Sequence, residues 1–182
     1  MNQNEIIEEY KELHKGSRFS RGTALLKHVP ELTRLAQLLN VSSVLDYGCG
    51  KAIFWKTPDW RGIFNNVIGD ITLYDPAVPE FSTPPPDTRF DMVVCTDVLE
   101  HVHPDHTVEF LDRLLLYTRR VLFLNISTTT AKKTFKDGTN LHINIRTRDE
   151  WEKLIRERQS ELGVKKATFP AVVVRYDEEV NF

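Results

Sequence analysis

The chain has 182 residues, with 24 Lys and Arg against 26 Asp and Glu, a formal net charge of −2, and 41% hydrophobic residues. That length suits one domain with a full core rather than two, and the net charge is not that of a polyanion binder. No apolar run approaches membrane-spanning length, and Met1 to Tyr10 is polar and acidic rather than signal-like, so a cytoplasmic protein with no membrane partner is expected.

Charge is uneven along the chain. Residues 41–131 hold seven Lys and Arg against twelve Asp and Glu, whereas residues 132–182 hold eleven against nine. The acid-rich part suits a cationic or hydroxyl-rich ligand better than a phosphate-rich one. Cys49 and Cys95 lie in apolar contexts with no CxxC spacing, which marks them as buried, reduced thiols.

The composition predicts a helix over Glu5 to His14, ended by Lys15-Gly16-Ser17. Arg18-Phe19-Ser20-Arg21-Gly22 then forms a basic, aromatic loop, read equally as a lid over a ligand or as a surface linker anchored by Phe19. Pro30 suits the first turn of a second helix, in which Leu32, Leu35, Ala36 and Leu39 share one face. Ser43 to Asp46 reads as a buried strand that breaks into a Gly48-Cys49-Gly50 turn, with Lys51 to Trp55 starting a helix that Thr57-Pro58-Asp59 interrupts. Ile71 to Asp75 is a second strand, followed by a proline-rich connection from Pro79 to Asp87. Phe90 to Asp97 is apolar in its middle, as a strand covered on both faces should be.

From Asp105 a helix carries Val108, Leu111, Leu114 and Leu115 on one face, and a strand from Val121 to Ile126 follows. Beyond the polar, lysine-bearing segment Ser127 to Gly138, Thr147 and Glu150 form a capping box for a helix over Asp149 to Leu162. Ala171 to Tyr176 is a last strand, expected to pair antiparallel at the sheet edge. Alternating strands and helices indicate an α/β fold with a mainly parallel sheet.

Three strand ends supply acids: Asp46, Asp75 and Asp97. In an open α/β sheet that edge is where ligands bind, at the point where strand order reverses. A dinucleotide fingerprint needs a small residue at the position of Ile53, and no phosphate-binding G-x-x-x-x-G-K-[ST] loop is present. A nucleoside with a ribose diol and a cationic tail matches better. Asp75 can accept both ribose hydroxyls, and Asp46 can face a cationic amino group.

Val44-Leu45-Asp46-Tyr47-Gly48-Cys49-Gly50 resembles the first motif of class I S-adenosylmethionine-dependent methyltransferases. Leu73-Tyr74-Asp75-Pro76 resembles their ribose-binding acid, and Phe90 to Val102 their fourth-strand motif, the likeness running over roughly residues 30–160. Tyr74 to Ser82 and Ala131 to His142 are more narrowly similar to short, functionally unassigned methyltransferase-like proteins of bacteria and phages. The resemblance implies a Rossmann-like three-layer sandwich over residues 1–182, with N-terminal helices and a candidate lid in 1–40 and a catalytic core in 41–182. It implies S-adenosyl-L-methionine as cofactor, held by Asp46, Tyr47, Gly48, Gly50, Tyr74, Asp75, Pro76, Thr96, Asp97 and Val98. The chain departs from the family between Asp75 and Phe90, where a helix and a further strand are replaced by the proline-rich connection. The sheet is therefore expected to be abbreviated, and Phe81 or the loop from Pro84 to Asp87 becomes a candidate cover for the adenine.

Methyl transfer asks for positioning and, for a weak nucleophile, proton removal. His101, His103, His106, His142, Lys132 and Lys133 lie on the expected substrate side, with His101 and His142 the chosen catalytic pair. Asp97-x-x-Glu100-His101 with a distant His142 also resembles the arrangement of small-RNA 2′-O-methyltransferases that use a metal. The same Leu-Glu-His-Val occurs in class I enzymes without one, so a structural or substrate-facing role is expected and no metal is assigned. The acceptor is expected to be a small molecule. Neither Asp/Asn-Pro-Pro-Tyr nor Pro-Cys, the signatures of base-methylating enzymes, is present, and little sequence remains for a recognition domain. An RNA end stays open but is not favoured, and a non-catalytic cofactor-binding protein is the competing class.

Overall fold

A computed structural model describes residues 1–16, 21–58, 69–163 and 170–177. Five strands form one sheet: β1 (Ser43–Tyr47), β2 (Asp70–Tyr74), β3 (Phe90–Thr96), β4 (Thr118–Ser127) and β5 (Ala171–Asp177). Their spatial order is β2-β1-β3-β4-β5, so the chain steps outward from β1 to β2 and then returns to the other side of β1 for β3. The reversal point lies between β1 and β3, where their carboxyl ends open a crevice.

Successive strand side chains point to opposite faces, which builds two cores. Val44, Met92, Val94, Val121 and Phe123 face α2 (Val29–Leu38) and the short α3 (Ile53–Lys56), with Leu32, Ala36 and Phe54 packed among them. Leu45, Val93, Cys95, Leu122 and Leu124 face α4 (Thr107–Tyr117) and α5 (Arg148–Gly163), which contribute Leu111, Leu114, Trp151 and Ile155. This is the expected three-layer α/β sandwich. All seven residues of β3 are buried, as a central strand covered on both faces requires. Both cysteines are buried free thiols.

Three expectations are corrected. The last strand is parallel, not antiparallel: β5 pairs with β4 from Val121↔Ala171 to Ser127↔Asp177. The physical reason is the connection, since α5 carries the chain back to the starting end of the sheet, and a helical crossover delivers a parallel strand. All four strand pairings are parallel, and the antiparallel contact among the described residues is an isolated bridge between Thr134 and Asn140. Val108, placed on the buried face of its helix, is 42% exposed, and a 3-10 turn, Pro104–His106, precedes the α-helix.

The abbreviation after β2 is real. Residues 75–89 contain one 3-10 turn, Pro79–Phe81, before β3 begins. The capping box forms as expected: the Thr147 amide donates to Glu150 Oε2 at 2.7 Å, and the Glu150 amide donates to Thr147 Oγ1 at 3.3 Å. Residues 18–20 of the expected lid lie outside the described residues. At its end, the carbonyls of Arg21 and Gly22 accept from the amides of Ile53 and Phe54, so this segment caps α3.

A third, smaller core holds α1 (Gln3–His14) over the sheet edge. Ile6 is 1% exposed and packs with Phe135 and Leu141, while Gln3 Oε1 accepts from the His103 amide at 2.8 Å. No helix of the described residues is long and apolar enough to cross a membrane.

Candidate active site

The carboxyl ends of β1, β2, β3 and β4 open into a cavity of about 670 Å³, roofed by α1 and by residues 130–142. Its floor is the turn after β1. Gly48, Gly50 and Ala52 all have positive φ, at 90°, 55° and 52°, a region that L side chains rarely adopt and glycine enters freely. At Gly48 a Cβ would stand 2.4 Å from Val98 Cγ2, so the close approach of this turn to the end of β3 depends on the missing side chain. The turn hangs on β2: the amides of Gly48 and Cys49 both donate to the Tyr74 carbonyl, at 2.7 and 3.1 Å.

Asp75 lies at the end of β2, 8% exposed, and its carboxylate is fixed by two backbone donors. The Gly50 amide donates to Oδ2 and the Ala77 amide to Oδ1, each at 2.9 Å. Each oxygen keeps a second lone pair, so the group is oriented and can still accept two more hydrogen bonds from the cavity.

Asp46, at the end of β1, is 4% exposed and accepts from Trp55 Nε1 at 2.7 Å. Burial pushes its pKa up to about 7, against the Trp55 hydrogen bond, which lowers it, and with the nearby Asp75, which raises it further. A carboxylate held at the edge of ionisation gains from a cation placed beside it.

Asp97 is the strained member, a non-glycine residue at φ 56°. Its carboxylate accepts from Asn125 Nδ2 and stands 3.8 Å from Lys27 Nζ, which also pairs with Asp177 at the end of β5. Strain of this kind persists where the surroundings over-determine it, and here Asn125 and Lys27 do so.

On the far wall the 3-10 turn Leu99–His101 follows β3. Glu100 is 1% exposed; its Oε1 accepts from the Ser127 amide at 3.2 Å, and its Oε2 is buried with no hydrogen-bond partner. Burial raises its pKa to about 8. His101 Nδ1 lies 2.9 Å from the Leu141 carbonyl and 2.7 Å from the Tyr10 hydroxyl, which itself donates to Leu141 O. His142 Nδ1 lies 2.5 Å from the Thr129 carbonyl. A carbonyl only accepts, so both Nδ1 atoms carry a proton, and in the neutral form of each ring Nε2 is then the lone-pair atom. Burial, more than the opposing bond to Leu141, pulls the His101 pKa down to about 4, so its ring is neutral. The two rings meet edge to face with centroids 4.8 Å apart.

The predicted site residues therefore divide. Asp46, Tyr47, Gly48, Asp75 and Pro76 line the cavity, and Thr96, Asp97 and Val98 continue the wall to His101 and His142. Gly50 and Tyr74 stand behind it: Gly50 orients Asp75, and the Tyr74 ring packs on Tyr47 at 4.7 Å. Lys132 and Lys133 line the roof, whereas His103 caps its own 3-10 turn and His106 Nδ1 lies 3.7 Å from Glu109 Oε2 in the helix that follows. Phe81 packs on the α2–α3 core under Lys56 Nζ, and neither it nor residues 84–87 line the cavity; Ala77 does.

Three participants escaped the sequence reading. Trp55 was placed only at the start of an interrupted helix, Asp177 follows the last strand as it was read, and Tyr10 lies 91 positions from the histidine it touches. The composition that predicts α1 offered no signal for Tyr10; the acid at the end of a fifth parallel strand would have flagged Asp177 had that strand's direction been read correctly.

A family model described as a methyltransferase domain matches residues 21–162, more than half of the chain. No curated protein matches the chain.

Proposed function

Because the chain belongs to the methyltransferase domain family, we propose that it moves a methyl group from S-adenosylmethionine to a small acceptor bound between the β1–β2 wall and the histidine wall. The observation that carries this reading is the placement of Asp46 near the end of β1 and of Asp75 just past the end of the adjacent parallel strand β2, beside a turn with no side chain at Gly48. A carboxylate with two free lone pairs suits a ribose diol, and a second one poised near neutrality suits an ammonium group.

Residues and cofactor fit. Asp75 would take the ribose hydroxyls, Asp46 the cationic amino group, and the Gly48 turn the close approach of the chain joining them. The bound cofactor supplies a methyl group already activated by its sulfonium. What remains for the protein is to hold an acceptor in line and exclude water. Support for a small acceptor comes from α1, whose Tyr10 closes over the histidine wall. The cavity volume is also that of a pocket for small ligands, ~300–1,000 Å³.

Calorimetric titration with S-adenosylmethionine and S-adenosylhomocysteine tests the reading. We expect both to bind, and Asp75→Ala to weaken binding by at least ~1 kcal/mol, about fivefold, from the loss of an oriented acceptor. Failure of the unaltered protein to bind either compound would sink the proposal. In an acceptor screen that reads out S-adenosylhomocysteine, His101→Ala and His142→Ala should lose turnover while keeping cofactor affinity. Normal turnover by both would remove the histidine wall from the acceptor site.

A further inference from the structure

Glu100, His101 and His142 are brought together from two parts of the chain, and their chemistry is unfinished. One carboxylate oxygen and one ring nitrogen from each histidine all lie within 4.8 Å of one another. Glu100 Oε2 is buried without a hydrogen-bond partner. Each histidine spends its Nδ1 proton on a backbone carbonyl, Leu141 for one and Thr129 for the other, which leaves both Nε2 lone pairs with no hydrogen bond from the described residues. A buried polar oxygen left alone calls for an explanation, an ion among them.

We propose that Glu100, His101 and His142 bind one divalent transition-metal ion of the zinc class, leaving coordination positions open to the cavity. Metal-ligating histidines characteristically donate their other ring N–H to a carbonyl or carboxylate, which sets the tautomer and the ring direction. Both rings here have that arrangement. The Tyr10 hydroxyl adds a second contact behind His101, donating to the same Leu141 carbonyl at 3.1 Å. The segment bearing His142 is itself anchored, since the Asn144 amide donates to the Glu100 carbonyl at 3.0 Å and Asn144 Nδ2 to Thr107 Oγ1 at 2.9 Å.

Asp97 is not part of the set. The sequence spacing puts it one turn before Glu100, yet its carboxylate is turned to Asn125 and Lys27. Two imidazoles and one carboxylate suit zinc and its neighbours, whereas magnesium and calcium favour all-oxygen sites. A tetrahedral ion with ligands at about 2.1 Å holds its donors about 3.4 Å apart, so loading draws the three side chains inward by an ångström or so. On the methyl-transfer reading, the open positions would receive an acceptor oxygen, which defines the acceptor class as a hydroxyl compound; metal binding itself does not depend on that reading.

The test uses the full chain, stripped with a chelator and titrated with Co²⁺ by visible absorption and with Zn²⁺ by calorimetry. We expect one Co²⁺ per chain, with the intense bands of a low-coordinate site, displaced by one Zn²⁺ and not by Mg²⁺. His142→Ala, on an irregular and partly exposed segment, and Glu100→Gln, which keeps shape and cannot supply a carboxylate, should each weaken binding at least tenfold. Tyr10→Phe, a positioning variant, should weaken it about tenfold and shift the cobalt spectrum, which a purely structural role would leave unchanged. Absence of one-to-one binding by the unaltered protein overturns the proposal, as does unchanged affinity in both His142→Ala and Glu100→Gln. S-adenosylmethionine affinity measured on the same samples keeps the two readings apart: metal binding without cofactor binding removes the methyl-transfer reading alone, and the reverse removes the metal site alone.

Discussion

Asp46 carries the clearest cost at the scale of single residues. Its pKa in the folded protein is about 7, whereas an unperturbed aspartate titrates near 3.9. A group whose folded pKa is raised favours the folded state when protonated, so its contribution worsens as pH climbs from about 4 to about 7 and stays unfavourable above. Asp46→Asn removes that penalty, and its amide oxygen can still accept from Trp55 Nε1. We therefore expect Asp46→Asn to stabilise the ligand-free protein at pH 8 by on the order of 2–4 kcal/mol, seen as a higher Tm, while weakening cofactor binding. In the unaltered protein, affinity for S-adenosylmethionine should fall as pH drops below about 7, approaching tenfold per unit, because a protonated Asp46 offers no charge to the ammonium. A pH-independent affinity would show that Asp46 does not meet the cationic end. On the proposed reading, the site sacrifices stability at the residue that meets the cationic end of the cofactor.

Among the elements, α1 stands apart from both sheet cores. It is held by Ile6 in the small cluster with Phe135 and Leu141 and by Tyr10 over the histidines. Segments with few buried contacts open independently of the rest. Ile6→Ala should strip hydrogen-exchange protection from α1 and from residues 131–143 while leaving β1, β3 and β4 unchanged. Uniform loss of protection would mean that α1 belongs to the global folding unit. Its role also explains the limits of reading this chain as a string. The Gly48–Ala52 turn was legible because glycine next to a strand has a local conformational meaning, and Asp75 because an acid at a strand end faces the crevice. Tyr10 was not, because its partner is set by how a helix docks, which no nearby residue encodes. Trp55 was not, because a four-residue helix carries no periodicity and its indole nitrogen finds Asp46 only through tertiary packing. The direction of β5 misled because strand composition is the same in either sense; only the crossover through α5 decides it.

Across the whole molecule the two ends of the sheet are built on opposite principles. At the amino ends, Asp91 of β3 closes the structure: its side chain is 3% exposed and meets Arg119 Nη1 at 3.0 Å and Arg120 Nε at 3.1 Å, while accepting from the Ser42 amide at 3.0 Å and hydroxyl at 2.8 Å. Burial alone would raise its pKa, but the bonds from Ser42, Arg120 and Arg119 outweigh it and hold the carboxyl well below the usual range. A depressed folded pKa contributes stability above the unfolded value near 3.9 and loses it as pH falls through the folded one. Asp91→Asn should therefore destabilise by about 1–3 kcal/mol at pH 7 and flatten the loss of stability below pH 4. An acid unfolding profile unchanged by the substitution would contradict this. The clamped end is satisfied and the open end is not, as suits a scaffold that presents its unmet groups to a ligand.

The uniformly parallel register also governs when the site can exist. Among the described residues no hairpin joins any two of the five strands, so each of their pairings waits for a crossover to close, and such long-range closure is the slow part of folding. Asp177, at the far end of β5, lines the same cavity as Tyr10 of α1, and joins Lys27 and Asn125 there. A chain growing on the ribosome carries its glycine turn, Asp46 and Asp75 long before that wall arrives. Translation must therefore pass residue 177 before the lining of the cavity is whole.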